Sequence, residues 1–205
     1  MNRFSDETSQ ALVAAAHGLL AEQGPDALTV RRIANAAGMS TMNVYSRFGG
    51  KDGVIDELYA DGYRRLLAEV DAIPVGTDVP ADLIRIASTY RSWALDNPRY
   101  YAIMFRQAVP GFDPSPDSIE FARGGLTRLV ERVTAGQQNG SIAATAGYDA
   151  AEIAVWLWAT CHGMISLELD GVGADGIDWA SVYANGIRTA VHGVHPSVAP
   201  APVRS

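Results

Sequence analysis

Residues 29–58 read TVRRIANAAGMSTMNVYSRFGGKDGVIDEL, and the spacing of small and apolar residues within them decides the fold. Thr29 is a helix-capping residue, and Val30, Ile33, Ala34 and Ala37 behind it form one apolar stripe at helical spacing. Gly38 ends that helix, because a glycine adopts the left-handed conformation without steric cost. Ser40 then caps a short second helix that carries Val44 inward and closes near Phe48, before the Gly49-Gly50 break. Helix, tight glycine turn, short helix is the geometry of a helix-turn-helix. Ala34 is small where the two helices cross, and Ile33, Met39 and Val44 supply the core that fixes their angle. The outward side of the second helix then carries Thr41, Met42, Asn43, Tyr45, Ser46 and Arg47. Its hydroxyls, amide, phenol and guanidinium suit phosphates and base edges. Two readings stand for Arg31, a DNA contact or a solvated face, and two for Tyr45 and Phe48, which also fit as core aromatics.

On either side of this stretch the pattern stays helical. Leu12, Ala16, Leu19 and Leu20 recur at helical spacing after Ser5, and Gly24-Pro25 closes that first helix. From Lys51 a long helix is expected to about Ile73, with Val54, Ile55, Leu58 and Leu66 on its apolar side. Pro74–Pro80 reads as a linker, and further helices are expected over 81–96, from Pro98, over 117–138, 148–169 and 178–193. No strand-like alternation persists, so the fold class is all-α, about nine helices. Three regions follow: 1–50 as a DNA-binding head, 51–194 as a larger helical body, and 195–205 as a proline-containing disordered tail.

Composition narrows the function. The chain has 205 residues, 48% hydrophobic and 19% charged, with a net charge of −7. That balance argues against coating nucleic acid or anionic membranes by bulk charge. The distribution is uneven: residues 1–51 hold five bases against four acids, and the remainder eleven against nineteen. A near-neutral head on an acidic body hints at an anionic partner for the head. The single cysteine, Cys161, excludes an internal disulfide framework. No basic region leads into an apolar core at the N-terminus, and the longest apolar stretch, Ala154–Ile165, is interrupted by His162 and reads as too short to span a bilayer. A cytoplasmic protein without a membrane segment is the expectation.

The same residues carry a family resemblance. Thr29, the Ile33-Ala34 pair, the Gly38-Met39-Ser40 turn, Tyr45, Phe48 and Lys51 resemble, in type and spacing, the DNA-binding signature of the tetracycline-repressor (TetR) family. The resemblance implies that Thr29, Ser40, Tyr45 and Lys51 hold DNA phosphates while Thr41, Met42 and Asn43 face the groove. The chain departs from the family pattern at Met42, where glycine is frequent, at Asn43, where a small residue is frequent, and at Arg47, where histidine or another aromatic is common. These departures leave the bases it reads open. Downstream, Trp156, His162, Gly163 and Leu167, with Tyr90, Ala94, Asn97-Pro98, Tyr101 and Phe105, resemble a subgroup of regulatory domains in that family marked by tryptophan, histidine and glycine.

The body invites three more expectations. The 148–169 helix is apolar nearly all round, which requires burial on every side. One face on the core and another on a second subunit satisfies this, so Val155, Trp158, Ile165, Leu169, Ile187 and Val191 are the candidate homodimer contacts. The alternative is a monomer whose core absorbs both faces. Trp93, Tyr101, Met104, Phe105, Phe121, Trp156, Thr160, Cys161 and Met164 are candidates to line a pocket for a small apolar or aromatic effector, or simply to pack the core. Cys161 and His162 point about 100° apart on a helix, and no metal spacing, catalytic triad or cofactor motif accompanies them. The expected function is therefore not enzymatic. A ligand-responsive regulator, most simply a repressor, binds a palindromic double-stranded operator as a dimer. The competing class is a helical small-molecule carrier or enzyme without DNA binding.

Overall fold

The computed structural model describes residues 6–143, 149–173 and 176–195, and every regular element among them is helical. Asp6 opens the first helix, α1 (Glu7–Gln23), by accepting from the Ser9 N–H; Ser5, after which that helix was expected, lies outside the described residues. A short 3-10 turn, Pro25–Ala27, leads into α2 (Val30–Ala36), and Gly38 at φ +66° turns the chain into α3 (Thr41–Phe48). There follow α4 (Lys51–Asp71), α5 (Val79–Asp96), α6 (Pro98–Phe105), α7 (Pro116–Asn139), α8 (Ala150–Leu169) and α9 (Trp179–Gly193). The expectation of all-α architecture with about nine helices holds for these residues. Of the expected disordered tail only His195 is described, its N–H donating to the His192 carbonyl at 2.9 Å; 196–205 lie outside.

The helices form two compact units. The first runs through Arg65 and takes in Asn97–Ala122; the second holds Leu66–Asp96 and the chain from Arg123 onward. The division between the two units falls within α4. In the first unit α1 packs on α2, α3 and α6. Leu12, Ala16, Leu20, Ile33, Ala34, Val44, Val54, Ile55 and Leu58 are all buried there. Each large apolar side chain of this kind contributes about 1.5–3 kcal/mol. A Cβ at Gly62 of α4 would stand 2.6 Å from the Met104 sulfur of α6, so glycine permits that approach. Beside it the Tyr100 hydroxyl donates to Asp61 Oδ2 at 2.8 Å within the core.

The second unit is built on the mutual packing of α5, α8 and α9. Asp149 and Glu152 form a reciprocal capping box at the start of α8. Arg91 of α5 donates two bonds to the Glu168 carboxylate of α8, at 2.8 and 2.5 Å, and the buried Tyr183 hydroxyl of α9 donates to the Ala87 carbonyl of α5 at 2.7 Å. The 72–78 connection between α4 and α5 is pinned as well. Asp82, fully buried, accepts from the Gly76 N–H (2.8 Å), from Arg132 (3.1 Å) and from Arg85. Arg132 also reaches the Ile73 carbonyl at 3.1 Å.

Helix α8 matches the helix expected over 148–169, and at 20 residues, Ala150–Leu169, it is long and apolar enough to cross a membrane by length and composition alone. Its buried stripe, Ile153, Ala154, Leu157, Cys161 and Ile165, instead faces α5 and α9.

Candidate nucleic-acid interface

The first unit presents α3 on a rigid base. Thr29 Oγ1 accepts from the Arg32 N–H at 3.3 Å and caps α2, so its hydroxyl is already at the surface end of the helix. The Met39 N–H donates to the Ala34 carbonyl at 2.8 Å, closing the turn. Ser40 sits at the N-cap position of α3 without a side-chain capping bond, contrary to the sequence expectation; its hydroxyl accepts from Asn43 Nδ2 at 3.4 Å instead. Val44 and Phe48 are buried beneath α3, which resolves Phe48 as a core aromatic. Tyr45 resolves the other way, at 54% exposure, with Met42 beside it at 70%. Thr41 and Ser46 are exposed on the same helix, as are Arg31 and Arg32 on α2. Arg32 is engaged by Gln23.

Behind α3, the left-handed Gly49 returns the chain to the start of α4. A Cβ at Gly53 would lie 1.9 Å from the Phe48 carbonyl oxygen, so α4 meets the end of α3 at backbone contact. This approach sets Lys51, whose ammonium lies 3.9 Å from the Asp52 carboxylate, at the same end of α3 as Tyr45 and Phe48. Arg47 Nε donates to Asp6 Oδ1 at 3.1 Å, and its Nη1 reaches Asn43 Oδ1 at 3.5 Å. Asp6 is the residue of this surface that the sequence reading missed. Its capping role was legible in the Asp6-x-x-Ser9 spacing, but its contact with a residue 41 positions later was not.

The predicted pocket residues are divided between the two units. Tyr101, Met104, Phe105 and Phe121 fall in the first unit; Trp93, Trp156, Thr160, Cys161 and Met164 in the second. Tyr101 and Trp93 are packed core side chains. Phe121 (40% exposed) and Trp156 (50%) stand on helix surfaces rather than in the packed core, and Trp156 lies off the buried stripe of α8. Cys161 is buried, and that burial pushes its thiol up to about 11, which leaves it unreactive. His162 Nδ1 lies 3.3 Å from the Tyr90 hydroxyl. Among the described residues no cluster of His, Cys, Asp or Glu has metal-binding geometry.

A cavity of about 210 Å³ lies between α1 and α4, where charged and polar residues (Gln10, His17, Glu57, Asp61, Arg64 and Arg65) line it together with Val13 and Ala14. Burial raises the Glu57 carboxyl above its usual value, with Arg64 opposing. Burial acts upward on Asp61 too, yet bonds from Arg65 and Tyr100 with the charges of Arg65 and Arg64 outweigh it and hold that carboxyl low.

The candidate dimer residues divide as well. Val155 and Trp158 are exposed on α8, as are Trp156 and Leu167, and Val182 is exposed on α9. Ile165, Ile187 and Val191 are buried within the chain itself, which corrects their assignment to an intersubunit surface: the α5–α8–α9 packing consumes them. Leu169 is half-buried.

Comparison with known proteins bears on both units. Residues 12–58 match the model described as bacterial regulatory proteins, tetR family, and residues 83–190 match the tetracyclin repressor-like C-terminal domain. The HTH-type transcriptional regulator Rv1816 of Mycobacterium tuberculosis is 32% identical over 133 residues. That match covers 62% of this chain and 56% of the relative's length. Among solved structures, a protein of unknown function from Rhodococcus sp. RHA1 is similar with a TM-score of 0.80 and 26% identity, covering 93% of this chain and 96% of that one. The fatty acid degradation regulator FadR from Bacillus halodurans shares the fold, with a TM-score of 0.72 at 17% identity over 91% of this chain and 96% of its own.

Proposed function

We propose that this chain, which belongs to the TetR family of bacterial regulatory proteins, is a cytoplasmic transcriptional regulator that reads operator DNA with α3. The observation that carries this reading is the exposed face of α3. Met42 and Tyr45, two large side chains that would otherwise be buried, stand in solvent beside Thr41 and Ser46, on a helix whose opposite side is anchored by Val44 and Phe48. Exposure of such residues on a short, rigidly seated helix fits a surface that is covered by a ligand as large as a DNA groove. In this reading Thr29, Ser40, Tyr45 and Lys51 hold phosphates, and Thr41, Met42, Asn43 and Ser46 face base edges.

The protein acts as a homodimer through the outward faces of α8 and α9, where Val155, Trp156, Trp158, Leu167 and Val182 leave apolar surface in solvent. Two heads then read half-sites about 34–36 Å apart on a palindromic operator. A small apolar or aromatic effector binds the body and favours a conformation that no longer matches that spacing, which makes the protein a repressor released by its ligand. A difference of about 3 kcal/mol in effector affinity between the two states shifts operator affinity more than a hundredfold. No catalytic step belongs to this reading.

Selection of fragmented genomic DNA by the purified protein, at moderate salt with excess competitor, tests it. One enriched motif with two-fold symmetry is expected. No enrichment, even from protein refolded free of co-purified ligand, overturns the reading in favour of a carrier or enzyme.

A further inference from the structure

We propose that Asp6 is a specificity-setting latch on the recognition helix: it holds Arg47 in the unbound protein and yields it to a DNA phosphate on binding. This rests on the reading of α3 as the DNA-reading helix. The Asp6 carboxylate is fixed at the start of α1 by the Ser9 N–H (3.1 Å) and the Ser9 hydroxyl (2.6 Å). From there it accepts from Arg47 Nε at 3.1 Å. Arg47 in turn donates to Asn43 Oδ1, and Asn43 Nδ2 to Ser40 Oγ. Four residues from the two ends of the head thus satisfy one another along the face that DNA would cover.

The consequence is a charge effect with a direction. The Ser9 bonds, helped by Arg47, hold the Asp6 carboxyl at about 2, so it is anionic at every working pH and the latch is not released by protons. An anion on this face repels phosphate, and it occupies the guanidinium that would otherwise bind one. An exposed ion pair contributes little to stability, so the exchange is cheap when DNA offers Arg47 and Asn43 better partners. An operator offers phosphates and matched base edges together; a random duplex offers phosphates alone. Asp6 therefore subtracts more from non-specific binding than from specific binding, and widens the ratio between them.

Asp6→Asn tests this, because asparagine caps a helix as well as aspartate but carries no charge. Binding of the full-length protein to its selected operator and to a random duplex is measured across salt concentration. The variant is expected to bind the random duplex about tenfold more tightly, with a salt slope steeper by about one, while the operator gains less. Arg47→Gln in the Asp6→Asn background is expected to return both quantities to the wild-type values. An unchanged or weaker random-duplex affinity overturns the latch, and so does a gain that survives Arg47→Gln. A role for Asp6 in capping alone would move the melting temperature and leave the slope where it was. These outcomes are distinct from failure of the regulator reading, in which the wild-type protein itself binds no duplex and the latch falls with it.

Discussion

Tyr45 and Lys51 are the residues whose assignment to phosphates is the most direct to test. Truncating either to alanine is expected to weaken binding to operator and random duplex alike, and Lys51→Ala also to flatten the dependence of log affinity on log salt by about one unit. Filter binding at four salt concentrations decides it; an unchanged slope in Lys51→Ala, or an unchanged random-duplex affinity in Tyr45→Ala, removes that residue's assignment. Glu57 and Asp61, one turn apart on α4, respond to pH with opposite signs. The folded state prefers Glu57 protonated, so that side chain costs stability as pH rises above the ordinary glutamate value of about 4.3. Asp61 is held low, so it adds stability above about 3.9, lost as pH falls through its folded value. Urea unfolding should therefore find Glu57→Gln more stable than wild type at pH 7 and equal to it near pH 3, with Asp61→Asn less stable at pH 7 and converging in acid.

At the scale of elements, two contacts decide how helices are joined. Gly53→Ala forces a methyl group onto the Phe48 carbonyl, so the end of α3 or the start of α4 must shift, at about 3 kcal/mol. Because the displaced element is α3 itself, operator affinity is expected to fall further than stability does. Asp82→Ala leaves Arg132 partly buried beside the linker with its partner removed, at about 3 kcal/mol in urea unfolding. The same scale shows what could be read in advance. The α2–turn–α3 unit was legible because its determinants are local: a capping threonine, an apolar stripe and a glycine at positive φ, all within twenty residues. Ser40 holds the N-cap position of α3 as read, but its hydroxyl takes the Asn43 side-chain amide three residues on rather than a backbone N–H. The orientation of α8 was not legible at all. A helix apolar on every side has no preferred direction, and only the positions of α5 and α9 decide that Ile165 turns inward while Trp156 turns out. The Asp6–Arg47 contact was hidden for a different reason, since it joins residues brought together only by the packing of α1 on α3.

For the whole molecule, the two sides of α8 give opposite expectations. Glutamate at both Val155 and Trp158 should leave the fold intact, because these side chains are already exposed, yet convert a dimer to a monomer in sedimentation and abolish paired half-site binding. Ile165→Ala, by contrast, opens a cavity of its own within the chain and costs about 2–5 kcal/mol without changing the oligomeric state. Basic charge is supplied almost wholly by arginine, and Lys51 is the one lysine in the sequence. Its ammonium stands at the head of α4, partly exposed. An amine-selective acylating reagent consequently has a single side-chain target in all 205 residues, and that target lies on the proposed DNA surface. The mass of one peptide, labelled in the free protein and spared in the complex, becomes a direct gauge of operator occupancy, with no need for a fluorophore or a second mutation.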